Sequence, residues 1–101
     1  MKRAAGTMIV AVAPTHSFEY GGASLNVYLA NKGEGLPRHQ HTTAHAIMCN
    51  AGTCIIRKEG IEKIIDKNTQ PIDLKANQWH EIEATEDNTV FVTVFAVAQK
   101  Q

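Results

Sequence analysis

Four histidines, His39, His41, His45 and His80, are the residues of this chain best suited to chemistry. Imidazole nitrogen is the commonest metal-donor side chain. Three of the four share one strand-sized segment, and the last arrives from a separate one. His39 and His41 are two apart, so in an extended strand both rings leave the same face; His45, an even number of residues further on, keeps that face if the segment stays extended. The pattern points to a transition-metal site that His80 closes. His16, in Pro14-Thr15-His16-Ser17, reads as an ordinary exposed histidine. A zinc-protease arrangement fails at His41-x3-His45, because Thr42 stands where H-E-x-x-H needs its glutamate base. Thr42 and Thr43 also favour strand or loop over helix.

Strands must position these rings. Strand signals recur along the chain with turn signals between them: Phe18 to Tyr20, Leu25 to Ala30, a histidine strand running to Cys49, Thr53 to Arg57, Glu62 to Asp66, Ile72 to Leu74 and Trp79 to Glu83. Val90 to Ala98 is the strongest, and its β-branched and aromatic content predicts a buried, central strand. Met8 to Ala13 reads as a further strand. No segment has the apolar period of a helix of three turns, so the chain is all-β. Donors from two separated strands meet only if the sheet closes or folds onto itself, which predicts a small barrel with an inward-facing site.

With 101 residues, 44% of them hydrophobic, the chain reads as one domain over 1–101. Ten basic residues balance ten acidic ones without a basic run, which argues against nucleic acid or an anionic membrane as partner. No apolar stretch approaches the roughly 20 residues that span a bilayer. Lys2-Arg3 and the apolar residues up to Ala13 fall short of the usual signal peptide of about 15 to 30 residues. Cys49 and Cys54 flank the turn at Asn50-Ala51-Gly52; without an export signal they are expected to be reduced, small core residues of a cytoplasmic protein.

These residues resemble the cupin superfamily, whose first motif, G-x5-H-x-H followed by a glutamate and a glycine, reads here Gly33-x5-His39-x-His41-x3-His45-x6-Gly52. Every spacing fits, and His45 replaces the glutamate. The second motif is eroded: Thr69, Lys75 and Asn77 occupy its Gly, Pro and Gly positions, Ala84 its Asn, and His80 alone matches. Asn77 can still serve the turn, because asparagine tolerates positive φ. The resemblance covers Leu25 to Ala98 and implies a barrel core over 25–98, with 1–24 as N-terminal strands and turns. It further implies a double-stranded β-helix, or jelly-roll, barrel, a divalent metal inside it, and a homodimer formed through sheet edges.

A neutral imidazole in place of a carboxylate leaves the charge of a divalent ion uncompensated, which favours anionic ligands such as a carboxylate or an enolate. In the family's octahedral geometry four protein donors leave two positions open. Iron, manganese, nickel, copper and zinc all accept nitrogen donors. Catalytic candidates on the inner face are Tyr28, as proton donor or substrate hydrogen bond, and Arg57, with Arg38, as holder of a substrate carboxylate. Phe95 and Trp79 are candidate apolar walls, and Ile47 and Cys49 lie beside His45 by strand parity. Glu81 and Glu83 are expected to face outward into solvent. The expected function is a metal-dependent enzyme, a dioxygenase or a non-redox isomerase, epimerase or lyase, acting on a small anionic oxygenated substrate. The alternative is a noncatalytic binding module or a barrel braced by its metal.

Overall fold

Strand-forming runs broken by Gly and Asn turns give ten strands and no helix among residues 8–96, the part of the chain that the computed structural model describes. They are β1 (Val10–Ala11), β2 (His16–Tyr20), β3 (Ala23–Ala30), β4 (Glu34–His39), β5 (His45–Ala51), β6 (Cys54–Lys58), β7 (Ile61–Ile65), β8 (Ile72–Leu74), β9 (His80–Ala84) and β10 (Thr89–Ala96). One five-stranded sheet has the order β1-β4-β9-β6-β7 and the other β2-β3-β10-β5-β8. Pairing is antiparallel except between β1 and β4. From β3 onward the chain passes repeatedly between the two sheets, which is the expected jelly-roll winding. No described helix is long and apolar enough to cross a membrane.

The inner faces of the sheets meet in a core whose largest fully buried members are Phe91, Ile47, Ile56, Ile65, Leu74 and Ile82. β10 is the middle strand of its sheet, as its composition predicts; Val97 and Ala98, the end of that expected strand, lie outside the described residues. Of the expected Met8–Ala13 strand, Val10–Ala11 forms the ladder with β4, and the Val12 amide adds a hydrogen bond to the Gly35 carbonyl. Cys49 and Cys54 are buried free thiols, and burial raises both above the ordinary thiol range.

The two outer faces differ in chemistry. On the first sheet, alternation places Arg57, Glu62, Glu81 and Glu83 outside, where they form ion pairs. On the second, the outward positions are mostly apolar: Leu25, Val27 and Leu29 of β3, Val90, Val92 and Val94 of β10, and Ala46 and Met48 of β5, with His16, Phe18 and Tyr20 on β2 and the charged Asp73 on β8.

β4 is the strand the sequence conceals, because Gly35 and Pro37 normally interrupt strands. Both are accommodated. Pro37 falls where the β4–β9 register shifts between Leu36 and His39. Gly35 lies so close to β9 that a Cβ there would run into the Ile82 carbonyl. Gly35→Ala is therefore expected to force the strands apart and cost about 1–3 kcal/mol, as overpacking does. A denaturant midpoint equal to that of the parent would show that this close approach is not a constraint.

Candidate metal centre

The segment holding the first three histidines is not one strand. His39 ends β4 in the first sheet, His45 begins β5 in the second, and His41 lies on the connection between them. The rings converge because the chain changes sheets, not because they share a strand face. His80 begins β9 directly opposite His39 in the ladder. The Asn77 amide donates 2.6 Å to the His41 carbonyl, which fastens the connection to the turn before β9. Asn77 adopts φ 62°, the left-handed conformation expected where the motif has glycine.

All four rings form one cluster. Ring centroids are 4.3 Å apart for His39 and His80, 4.7 Å for His39 and His41, 4.9 Å for His41 and His45, and 5.0 Å for His45 and His80. One nitrogen from each of His39, His41 and His80 lies within 4.8 Å of the others, so these three could hold a metal ion. Neighbouring donors about 2.1 Å from a common ion are about 3 Å apart, so binding would draw the rings slightly inward. His45 completes the ring cluster but is not within that nitrogen triad; its ring stacks on Phe95 with centroids 4.2 Å apart.

The hydrogen bonds fix which nitrogens face inward. His39 Nδ1 lies 2.6 Å from the Pro37 carbonyl, and His80 Nδ1 lies 3.1 Å from the Gln78 carbonyl. A carbonyl only accepts, so in each ring Nδ1 carries the proton and Nε2 keeps its lone pair. His80 Nε2 is buried without a hydrogen-bond partner, and so is His45 Nδ1. A buried lone pair without a donor is costly, and a metal ion would satisfy it.

Three of the rings, His41, His45 and His80, are biased toward the neutral form. Burial, then the neighbouring histidines, lowers His45 and His80 from the ordinary 6.5 to about 4, and burial lowers His41 as well. Because the folded values lie below the unfolded one, the metal-free protein keeps the associated stability above pH 6.5 and loses it as the pH falls toward 4. The expected loss is on the order of 3 kcal/mol for a shift of that size. Denaturant melts of metal-free protein from pH 7.5 to 4 would measure it, and a flat profile would mean that these rings protonate freely in the folded state.

A cavity of about 400 Å³ opens over His39, His41 and His45, and Asn26, Tyr28, Arg38, Thr93 and Phe95 also line it. Tyr28 is thus brought to the site. It stacks on Phe91 with centroids 4.8 Å apart, and burial raises its phenol above the usual range, so it keeps its proton at neutral pH. Thr93 Oγ1 is buried without a hydrogen-bond partner. Neither Asn26 nor Thr93 stands out in the sequence, although both fall on the inward parity of strands already expected.

Other sequence candidates lie elsewhere. Arg57 does not line this cavity; it projects from the opposite face of its strand onto Glu81 at 2.9 Å and Glu83 at 3.0 Å. Burial alone would lower its pKa, but these carboxylates outweigh burial and raise it. Glu81 faces outward as expected but is not solvated: it is 8% exposed and also pairs with Arg38 at 3.5 Å. Trp79 is not a wall of the cavity, because its ring lies beneath the Arg38 guanidinium at 3.8 Å. Ile47 and Cys49 face inward but belong to the core below the cavity. His16 is exposed.

No protein-family model and no functionally curated protein matches the sequence. Among solved structures, the chain is similar to KdgF from Halomonas sp., at TM-score 0.70 and 14% identity over 81% of this chain and 76% of that one. It is also similar to a conserved protein with a double-stranded beta-helix domain from Klebsiella pneumoniae, at TM-score 0.69 and 17% identity over 100% of this chain and 81% of that one. A cupin protein from Bacteroides fragilis matches at TM-score 0.64 and 19% identity over 81% of this chain and 71% of that one. These likenesses are of fold: the chain is a double-stranded β-helix of the cupin type.

Proposed function

We propose that this chain is a metal-binding cupin in which His39, His41, His45 and His80 hold a divalent transition metal beneath a cavity for a small anionic, oxygenated ligand. One observation carries the reading: His80 Nε2 is buried without a partner among three other imidazoles while its Nδ1 is tied to a backbone carbonyl. When bound, the ion would supply Lewis acidity to a coordinated oxygen. The chain's own residues do the rest. Arg38 lines the cavity while its guanidinium stays with Glu81 and Trp79, and Asn26, Tyr28 and Thr93 offer hydrogen bonds to the hydroxyl or carbonyl groups of a ligand. Leu36, Pro37 and Phe95 exclude water from one side. Because Tyr28 keeps its proton, its role is that of donor, not base.

The test is elemental analysis of untagged protein purified without chelator and then offered iron, manganese, nickel, copper or zinc. The expected result is near one ion per chain, lost when His41→Ala and His80→Ala are combined; no metal before or after loading would overturn the proposal.

Whether the site turns over a substrate is a separate question. The residues that line the cavity include no aspartate or glutamate, which favours binding over proton abstraction as its task. Oxygen uptake, or exchange of α-protons, with small hydroxy and keto acids would instead support a dioxygenase or an isomerase, epimerase or lyase.

A further inference from the structure

At one margin the two sheets do not cover each other. β7, of five residues, is an edge of the first sheet, and β8, of only three, is an edge of the second. Ile61, Lys63 and Ile65 of β7 share the inward parity of Ile56 and Lys58 on β6. Ile65 is covered, at 1% exposed, whereas Ile61 is 52% exposed although it belongs to the inner face. The gap is a cavity of about 270 Å³ lined by Ile56, Lys58, Ile61, Lys63 and Ile72. None of these residues lines the cavity over the histidines, so the two are separate.

The lining is apolar with a cationic rim. Lys58 Nζ reaches across to the second sheet and donates to the Asp73 carbonyl at 2.9 Å, which fixes the ammonium, leaves its charge uncompensated and keeps two of its three donors for another acceptor. Neither Lys58 nor Lys63 forms an ion pair among the described residues, whereas Arg38 and Arg57 both hold Glu81. A lysine on an edge strand guards against stray strand pairing, which would account for Lys63. It does not account for Lys58, because β6 lies inside its sheet between β9 and β7.

We infer that this groove binds a small aliphatic carboxylate, its chain on Ile56, Ile61 and Ile72 and its carboxylate on Lys58 and Lys63. Charge selects an anionic head. The isoleucines select the tail: burying hydroxyl groups against them would leave those groups without hydrogen bonds, so a polyhydroxylated anion is disfavoured. The volume lies just below the roughly 300–1,000 Å³ of sites for drug-sized molecules, which suits a short chain.

The test is a titration of isotopically labelled protein, as purified, with butanoate, hexanoate and 1-hexanol, followed amide by amide by NMR. Hexanoate should shift the amides around Ile56, Lys58, Ile61, Lys63 and Ile72 and bind about 15-fold more tightly than butanoate, about fourfold for each added methylene. Lys63→Gln alters an exposed side chain, and it should weaken hexanoate up to about fivefold, the range of an exposed ion pair, and leave 1-hexanol unaffected. No shift in the groove at about 10 mM hexanoate overturns the inference, and so do shifts confined to the histidine cavity. Equal affinity for butanoate and hexanoate would remove the tail contact, and equal affinity for hexanoate and 1-hexanol would remove the carboxylate contact; either result overturns it as well.

Discussion

Replacing His80 with alanine is expected to lower divalent-metal affinity by more than 100-fold. Loss of residues that merely orient a metal ligand typically costs about 10- to 100-fold, and His80 is assigned as a ligand itself. It is 1% exposed, its Nδ1 is fixed by the Gln78 carbonyl, and its Nε2 has no other partner. The effect is readable as thermodynamic linkage. At a free metal concentration 100 times the parent's dissociation constant, the parent gains about 2.7 kcal/mol of stability, whereas a variant weakened 100-fold gains only about 0.4 kcal/mol. Melting the two proteins with and without metal measures the difference directly. Equal gains would remove His80 from the ligand set and leave the neighbouring imidazoles as the site.

The second large effect is expected at Arg57, and it concerns stability alone. Arg57 reaches Glu81 at 2.9 Å, Glu83 at 3.0 Å and Glu62 at 3.6 Å, and the Glu81 side chain is only 10% exposed. Arg57→Ala leaves three carboxylates on adjacent strands without their shared cation, while Glu81 retains Arg38 at 3.5 Å. Removing one partner of a buried ion pair costs about 3–5 kcal/mol, because the remaining charge stays desolvated. For a domain with about 5–15 kcal/mol in all, that is a large share. Metal affinity should not change, since the cluster lies on the other face of the sheet. A variant of ordinary stability that no longer binds the anionic ligand would reverse this assignment and return Arg57 to the binding role its sequence suggests.

The strands were legible where alternation and turn residues agree. Val90 to Phe95 declared a central strand, and Asn77 declared a left-handed turn although its motif glycine is lost. The four histidines were legible as a group because their spacing survives. How they meet was not, since spacing alone cannot tell a continuous strand from one broken at Gln40–Ala44 to cross between sheets. β4 was hidden because Gly35 and Pro37 argue locally against a strand, while tertiary contact with β9 and a register shift accommodate them. Strand parity placed Glu81 outside correctly. It could not show that Arg38 and Arg57 cover it there, because parity assigns a side chain to a face and says nothing of what that face holds.

The placement of the histidines on both sheets has a consequence for how the protein comes apart. His39 and His80 end strands of one sheet, and His45 begins a strand of the other. A single ion held by all of them would act as a reversible staple across the mouth of the barrel, closing a long loop between residues 39 and 80 without a covalent bond. Local opening at that end would then be tied to release of the ion, so amides flanking the histidines would exchange with solvent at the pace of metal dissociation, while those at the Gly52 end would keep their own clock.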